Sequence, residues 1–197
     1  MRIHNPASGE SWFSKRRKRY DGNREPRELT FSCYRRFKFL ERDLTREWFI
    51  AALEKARQRW PVDVWAYVLM PEHVHLLVSP RQLELELGRF AGYVKEHTAR
   101  PAIRWLKEHT PEFLPKITVV EGRVTRHRFW QPGGGYDRNV TEERTLESMI
   151  EYIHRNPIRR GLCEQAIDWE WSSARWYAGI RPVRFEIDAT LPMTYGP

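Results

Sequence analysis

Two histidines two residues apart, His73 and His75, stand inside the run Trp65-Ala66-Tyr67-Val68-Leu69-Met70-Pro71-Glu72-His73-Val74-His75-Leu76-Leu77-Val78. Apart from the Met70-Pro71-Glu72 break, the run is apolar, β-branched and aromatic, which is strand composition. Successive strand side chains point to opposite faces, so His73 and His75 share one face and Val74 takes the other. Their Cβ atoms then lie roughly 6–7 Å apart. Two imidazole nitrogens at that spacing can converge on one divalent cation, and a hard cation such as Mg²⁺ needs oxygen ligands or water beside them. The plain alternative is a half-exposed pair that binds nothing.

A second group with chemical capacity lies further along. Leu146, Met149, Ile150 and Ile153 recur at i, i+3, i+4, i+7, which predicts a helix from about Thr141 to Arg155. Thr141 is placed to cap it, and Glu142 and Glu143 complement the positive end of its dipole. Tyr152 falls on the shoulder of the apolar stripe, on the side shared by Thr145, Ser148 and Asn156, from which a phenol can reach past the core into a site. Pro157 disfavours helical dihedrals at Asn156, so the helix is expected to end at Arg155. Tyr93 and Tyr136 are alternative nucleophiles. His127 and His154 are further imidazoles, read as surface or nucleic-acid-facing side chains, and Glu72 is either a plain turn carboxylate or a partner of the histidines.

The elements that must position these groups follow from periodicity. Leu29 to Tyr34 reads as a first strand. Asp43 is an N-cap, and Leu44, Trp48, Phe49, Ala52, Leu53 and Ala56 keep helical spacing to Trp60, closed by Pro61. Val62 to Met70 and His73 to Ser79 form a strand pair joined by a short connection. Leu83, Leu87, Phe90, Ala91 and Val94 give a second helix, expected to be interrupted at Pro101. Ile117 to Val120 and Val124 to Trp130 read as strands around Glu121-Gly122-Arg123. The order strand–helix–strand–strand–helix–strand is that of an α+β, ferredoxin-like (split βαβ, RRM-like) antiparallel sheet with helices on one face. Pro132-Gly133-Gly134-Gly135 is expected to be a flexible joint, since no GK[ST] follows to make it a phosphate loop.

Composition narrows the partners. The 197 residues carry a net charge of +8 with 41% hydrophobic content, enough for one domain with a real core. That charge suits an acidic partner, nucleic acid ahead of a membrane surface. Nine Trp, eight Tyr and nine Phe offer stacking surface beside the positive charge, although most of these rings are expected in the core. Cys33 and Cys163 form no CxxC pair, so a reducing cytoplasm is expected. The N-terminal residues lack an apolar leader and no run approaches 18 apolar residues, which argues against secretion and membrane spanning. Lys15, Arg16, Arg17, Lys18 and Arg19 form a like-charge block, either a solvated arm or a phosphate-contacting one. The expected division is a basic arm over 1–28, a main domain over 29–162 and a C-terminal extension over 163–197.

Four stretches carry a family resemblance: Met70-Pro71-Glu72-His73-Val74-His75; Arg128-Phe129-Trp130-Gln131; Tyr152-Ile153-His154-Arg155-Asn156-Pro157-Ile158-Arg159-Arg160-Gly161-Leu162; and Asp168-Trp169-Glu170-Trp171-Ser172-Ser173-Ala174-Arg175. Together they resemble the single-tyrosine HUH transposases, in particular their REP-associated tyrosine transposase branch. The resemblance implies an HUH-endonuclease-type fold that cuts single-stranded, hairpin-containing DNA without a nucleotide cofactor, as a monomer or a homodimer. Carried over residue by residue, Tyr152 is the nucleophile, His73 and His75 ligate Mg²⁺ or Mn²⁺, and Asn156 is the third ligand, unless it only caps its helix. The chemistry is intelligible: a phenol is a weak nucleophile at its free pKa of roughly 10, and a divalent cation polarising the phosphate would assist it. Arg128, Arg138, Arg159 and Arg160 are candidates for phosphate contacts, with the basic block beside them. The competing functions are a non-catalytic single-strand-binding module, for which no RNP1-like run is found, and a host-repurposed nuclease acting on repeat hairpins.

Overall fold

The computed structural model describes residues 2–4, 6–9, 11–13, 25–83, 85–133, 136–139 and 143–191. The basic block Lys15–Arg19 and the capping pair Thr141 and Glu142 lie outside them. In chain order the elements are β1 (Arg2–His4), β2 (Ser11–Phe13), β3 (Arg27–Ser32), α1 (Asp43–Arg59), β4 (Val62–Leu69), β5 (His73–Pro80), α2 (Leu87–His109), α3 (Leu114–Ile117), β6 (Thr118–Glu121), β7 (Val124–His127), β8 (Tyr136–Asn139), α4 (Glu143–Arg159) and α5 (Ala174–Tyr177).

The main sheet has the order β4-β5-β3-β8, antiparallel at every pairing. With β3, β4, β5 and β8 as the four strands of the split βαβ unit, this is the ferredoxin-like arrangement. The fourth strand is not the one expected. The hairpin over 118–127 does form, but its first strand pairs with β1 through Ile3↔Glu121 and His4↔Val120, building a separate sheet in the order β2-β1-β6-β7. The free edge of β3 is taken instead by β8, which follows the glycine run. Gly133, at φ +102, adopts a backbone conformation that side-chain-bearing residues rarely reach and helps turn the chain back to that edge.

Alternation along β4 and β5 divides the core in two. Val62, Val64, Tyr67, Leu69, Val74, Leu76 and Val78 face α1 and α2, meeting Phe49, Leu53, Phe90 and Val94. Trp65, Ala66, Val68, Met70 and Leu77 face the other way and meet Leu146, Met149, Ile150 and Ile153 of α4. A register shift between Val64 and Ala66 lets the neighbours Trp65 and Ala66 join the same cluster. The two helices of the split unit thus share one face, and α4, with Trp169, Tyr177 and Leu191 of the C-terminal segment, covers the opposite face, where His73 and His75 also lie.

Two prolines expected to end helices are carried inside them. α2 runs through Pro101 to His109 because its buried stripe, Val94, Thr98 and Ala102, continues across the proline; burial outweighs the one lost backbone bond. α4 runs through Pro157 to Arg159, so Asn156 is helical rather than extended. That helix stops at Gly161, whose φ of +64 is the usual left-handed C-terminal glycine. Two residues expected in buried stripes, Leu44 and Leu83, are exposed.

The C-terminal segment closes the free edge of β4. Leu69 N–H donates to Trp171 O (2.8 Å), Ser173 N–H to Tyr67 O (3.0 Å) and Asp188 N–H to Val64 O (2.9 Å). Asp188 Oδ2 accepts from Val64 N–H (2.9 Å), and Tyr67 N–H donates to Ser173 Oγ (3.0 Å). Every one of these bonds uses a backbone group that an open sheet edge would leave unpaired.

Candidate active site

His73 and His75 stand on the α4 side of β5, their ring centroids 4.9 Å apart and nearly perpendicular. Tyr152 reaches them from α4 and sets its ring edge-on to His75 at 5.6 Å. Both imidazoles are buried, whereas Tyr152 keeps 40% of its surface exposed. The site is therefore a pair of sheltered nitrogens beside a phenol open to solvent. Asn156, one turn after Tyr152, is buried and donates from Nδ2 to the Tyr152 carbonyl (2.8 Å).

Each histidine has a carboxylate beside its Nδ1. Glu28, on the neighbouring strand β3, accepts from His75 Nδ1–H at 2.9 Å. Thr30, directly across from His75 in the register, lies 3.0 Å from the same nitrogen. This tie leaves Nε2 of His75 as the free ring nitrogen, the arrangement found behind metal-ligating histidines. Glu72 lies 3.3 Å from His73 Nδ1, yet that nitrogen has no hydrogen-bond partner of good geometry. Burial, with His75 alongside, pushes the His73 imidazole down to about 4, so it is neutral at neutral pH. Burial pushes the Glu72 carboxyl up, but His73, Arg160 and Arg36 together hold it below its ordinary value.

The arrangement fits a divalent cation. Two buried imidazoles, one with an orphaned nitrogen and the other oriented by a carboxylate, supply nitrogen donors. Among the described residues no three His, Cys, Asp or Glu side chains form a metal-holding group. The two imidazoles would need an oxygen donor of another type, which the Asn156 amide, phosphate or water can provide.

A family model described as "Transposase IS200 like" matches residues 28–156, from Glu28 on β3 to Asn156 on α4. The chain belongs to the IS200-like transposase family. A protein of Haemophilus influenzae named as a REP-associated tyrosine transposase is 22% identical over 125 residues, 64% of this chain. The matched region spans 66% of that relative's length, just under two thirds. The solved structure of a REP-associated tyrosine transposase bound to a REP hairpin shares the fold, with a TM-score of 0.65 at 18% identity over 93% of this chain and 97% of that one. Among the described residues no helix is long and apolar enough to cross a membrane.

The family match encloses all four residues singled out for chemistry, and the fold brings His73, His75 and Tyr152 together. The other tyrosines fare differently. Tyr93 stacks on His97 at 3.6 Å and packs with the α1–α2 core, on the far face of the sheet. Tyr136 occupies the β8 position opposite Thr30. His127 pairs with Thr118 Oγ1 (3.0 Å) in the second sheet, and His154 is buried against Ser173 Oγ (2.8 Å). Of the candidate phosphate ligands, Arg159 lies over the Tyr152 ring at 5.2 Å and Arg160 reaches Glu72 at 3.0 Å. Arg138 sits opposite Glu28 in the register, and Arg128 is engaged by Glu121. Sequence reasoning missed Glu28, Thr30 and Arg36. The available signal was the strand alternation: Glu28 and Thr30 stand two apart, as His73 and His75 do.

Proposed function

We propose that the chain is a divalent-metal-dependent single-stranded DNA endonuclease and strand transferase, acting through a covalent 5′-phosphotyrosine at Tyr152. The observation that carries this reading is the edge-on approach of Tyr152 to His75 within a paired-histidine site. In this reading Tyr152 Oη bonds to phosphorus as the P–O3′ bond breaks. The phenol gives up its proton and the departing 3′ oxygen gains one, so no nucleotide or water is consumed. Because the phosphodiester energy is kept in the new bond, the 3′-hydroxyl can attack in reverse and join strands.

His73, His75 and the Asn156 amide oxygen would hold the cation, with His75 kept in one tautomer by Glu28. A Mg²⁺ or Mn²⁺ ion there supplies a Lewis acid toward a non-bridging phosphate oxygen. Arg159, 5.2 Å over the Tyr152 ring, is placed to meet the phosphate's charge. Hairpin-containing single-stranded DNA is the substrate this reading assigns, by likeness to the REP-hairpin-bound relative. α4 covers the sheet over Leu77, Val68 and Trp65, so this face is not the open stacking platform of an RRM-like binder.

The test is an incubation with end-labelled hairpin-containing single-stranded DNA and Mg²⁺ or Mn²⁺, resolved on a denaturing gel. The wild type is expected to give a protein–DNA adduct, lost in Tyr152→Phe and in His73→Ala/His75→Ala. An adduct that survives Tyr152→Phe would move the nucleophile elsewhere, and DNA binding without adduct under all conditions would make the chain a binding module.

A further inference from the structure

Next to His73, one buried carboxylate oxygen gathers two exposed guanidiniums. Glu72 Oε1 accepts a hydrogen bond from Arg36 Nη2 at 3.0 Å and forms an ion pair with Arg160 Nη1, also at 3.0 Å. The Glu72 side chain is 5% exposed, against 60% for Arg36 and 51% for Arg160. One negative charge therefore faces two positive ones, and the surplus lies at the surface. Each guanidinium has five N–H donors in a fixed plane, most of them left over after one bond to a carboxylate. The three residues come from separate places: the loop after β3, the β4–β5 turn and the turn that follows α4.

The loop holds Arg36 in place at a conformational cost. Arg35 and Arg36 both have left-handed backbones, φ 52° and 55°, a region unfavourable for non-glycine residues. Backbone bonds secure that conformation: Cys33 N–H to Glu72 O (2.8 Å), Leu40 N–H to Pro71 O (2.9 Å), and Arg35 N–H to Gln131 Oε1 (3.1 Å). Neutralising one buried carboxylate requires one arginine. A second arginine, presented on a strained and fastened loop, is surplus to that need.

We propose that Arg36 and Arg160, yoked by Glu72, form a subsite for a phosphodiester of the DNA strand next to the one that is cut. The proposal rests on the nuclease reading above. A planar N–H fork matches the two non-bridging oxygens of a phosphodiester, which is the chemistry that selects arginine over lysine. Glu72 sets the spacing of the two forks and, through its neighbour His73, their distance from the reacting centre. Arg36 is the new element, since neither helix periodicity nor the catalytic stretches point to it.

The experiment is fluorescence anisotropy of the full chain with a labelled single-stranded oligonucleotide, without divalent metal, over a series of salt concentrations. The variants are Arg36→Gln, Arg36→Lys and Arg160→Gln. Each glutamine variant is expected to lose about tenfold in affinity, as for a charge-assisted hydrogen bond, with the slope of log K against log[salt] reduced by about 0.7. Arg36→Lys should keep the slope and lose part of the affinity, and it still decides the matter if Arg36→Gln does not fold. Inorganic phosphate at equal ionic strength is the second arm: effective competition would assign the subsite to free phosphate. Unchanged affinity and slope in Arg36→Gln, or full affinity in Arg36→Lys with an unchanged response in Arg160→Gln, would reduce the pair to neutralisers of Glu72. Because binding is scored without cleavage, a missing tyrosine adduct sinks the nuclease reading alone, and normal adduct formation with unchanged binding sinks the subsite alone.

Discussion

His75 Nδ1 and Glu28 Oε1 lie 2.9 Å apart, a hydrogen bond between two buried side chains on adjacent strands. An ionised carboxylate can only accept, so the imidazole donates from Nδ1 and presents Nε2. Glu28→Gln keeps the shape but removes the charge and the preference for that tautomer. Affinity for Mn²⁺, measured by calorimetry, should fall about 10- to 100-fold, with the thermal midpoint little changed. Unaltered Mn²⁺ affinity would show that Glu28 does not orient a ligand.

Acid should unfold this protein through its sheltered histidines. Burial pushes His154 down to about 4, below its ordinary value. The unfolded chain therefore binds a proton that the folded chain refuses, between about pH 6.5 and pH 4. Stability contributed by this group is present above the ordinary histidine range and is lost as pH falls toward 4, by roughly 3 kcal/mol at most. Urea unfolding at pH 7 and pH 4.5 should show a smaller acid loss in His154→Gln than in wild type. Equal losses in the two proteins would contradict this.

Ser173 joins the C-terminal segment, β4 and α4. Its hydroxyl donates to Tyr67 O (3.3 Å), accepts from Tyr67 N–H (3.0 Å) and meets His154 Nε2 (2.8 Å). Ser173→Ala leaves buried polar groups without that partner, at an expected cost of about 1–3 kcal/mol. Chemical denaturation measures it; a change under 0.5 kcal/mol, the size expected of an inert surface position, would mean that the edge closure does not depend on this residue.

The parts of the fold that rest on strong local signals were legible in the chain. The strand pair bearing His73 and His75, the α1 helix and the stripe Leu146, Met149, Ile150 and Ile153 follow from alternation and 3.6-residue spacing. Three features were not, each for a tertiary reason. The fourth strand of the main sheet is a short segment after a glycine run, and the more strand-like hairpin was claimed by N-terminal residues distant in sequence. Pro101 lies within a helix because its buried stripe continues across it to Ala102, and Pro157 lies in the last turn of α4. Glu28 and Arg36 gain their meaning only when β3 is laid beside β5 and its following loop is folded onto the β4–β5 turn. The histidine pair, and Glu72 beside it, could be read from spacing and adjacency and Tyr152 from the family resemblance; Glu28, Thr30 and Arg36 could not.

The most direct test of the central claim is peptide mapping by mass spectrometry after reaction with a hairpin-containing oligonucleotide and Mn²⁺, followed by nuclease and protease digestion. The account predicts a nucleotide-phosphate mass addition on Tyr152, within the peptide from α4. An addition on any other residue, or unmodified Tyr152 in a sample that has cut its DNA, would contradict it.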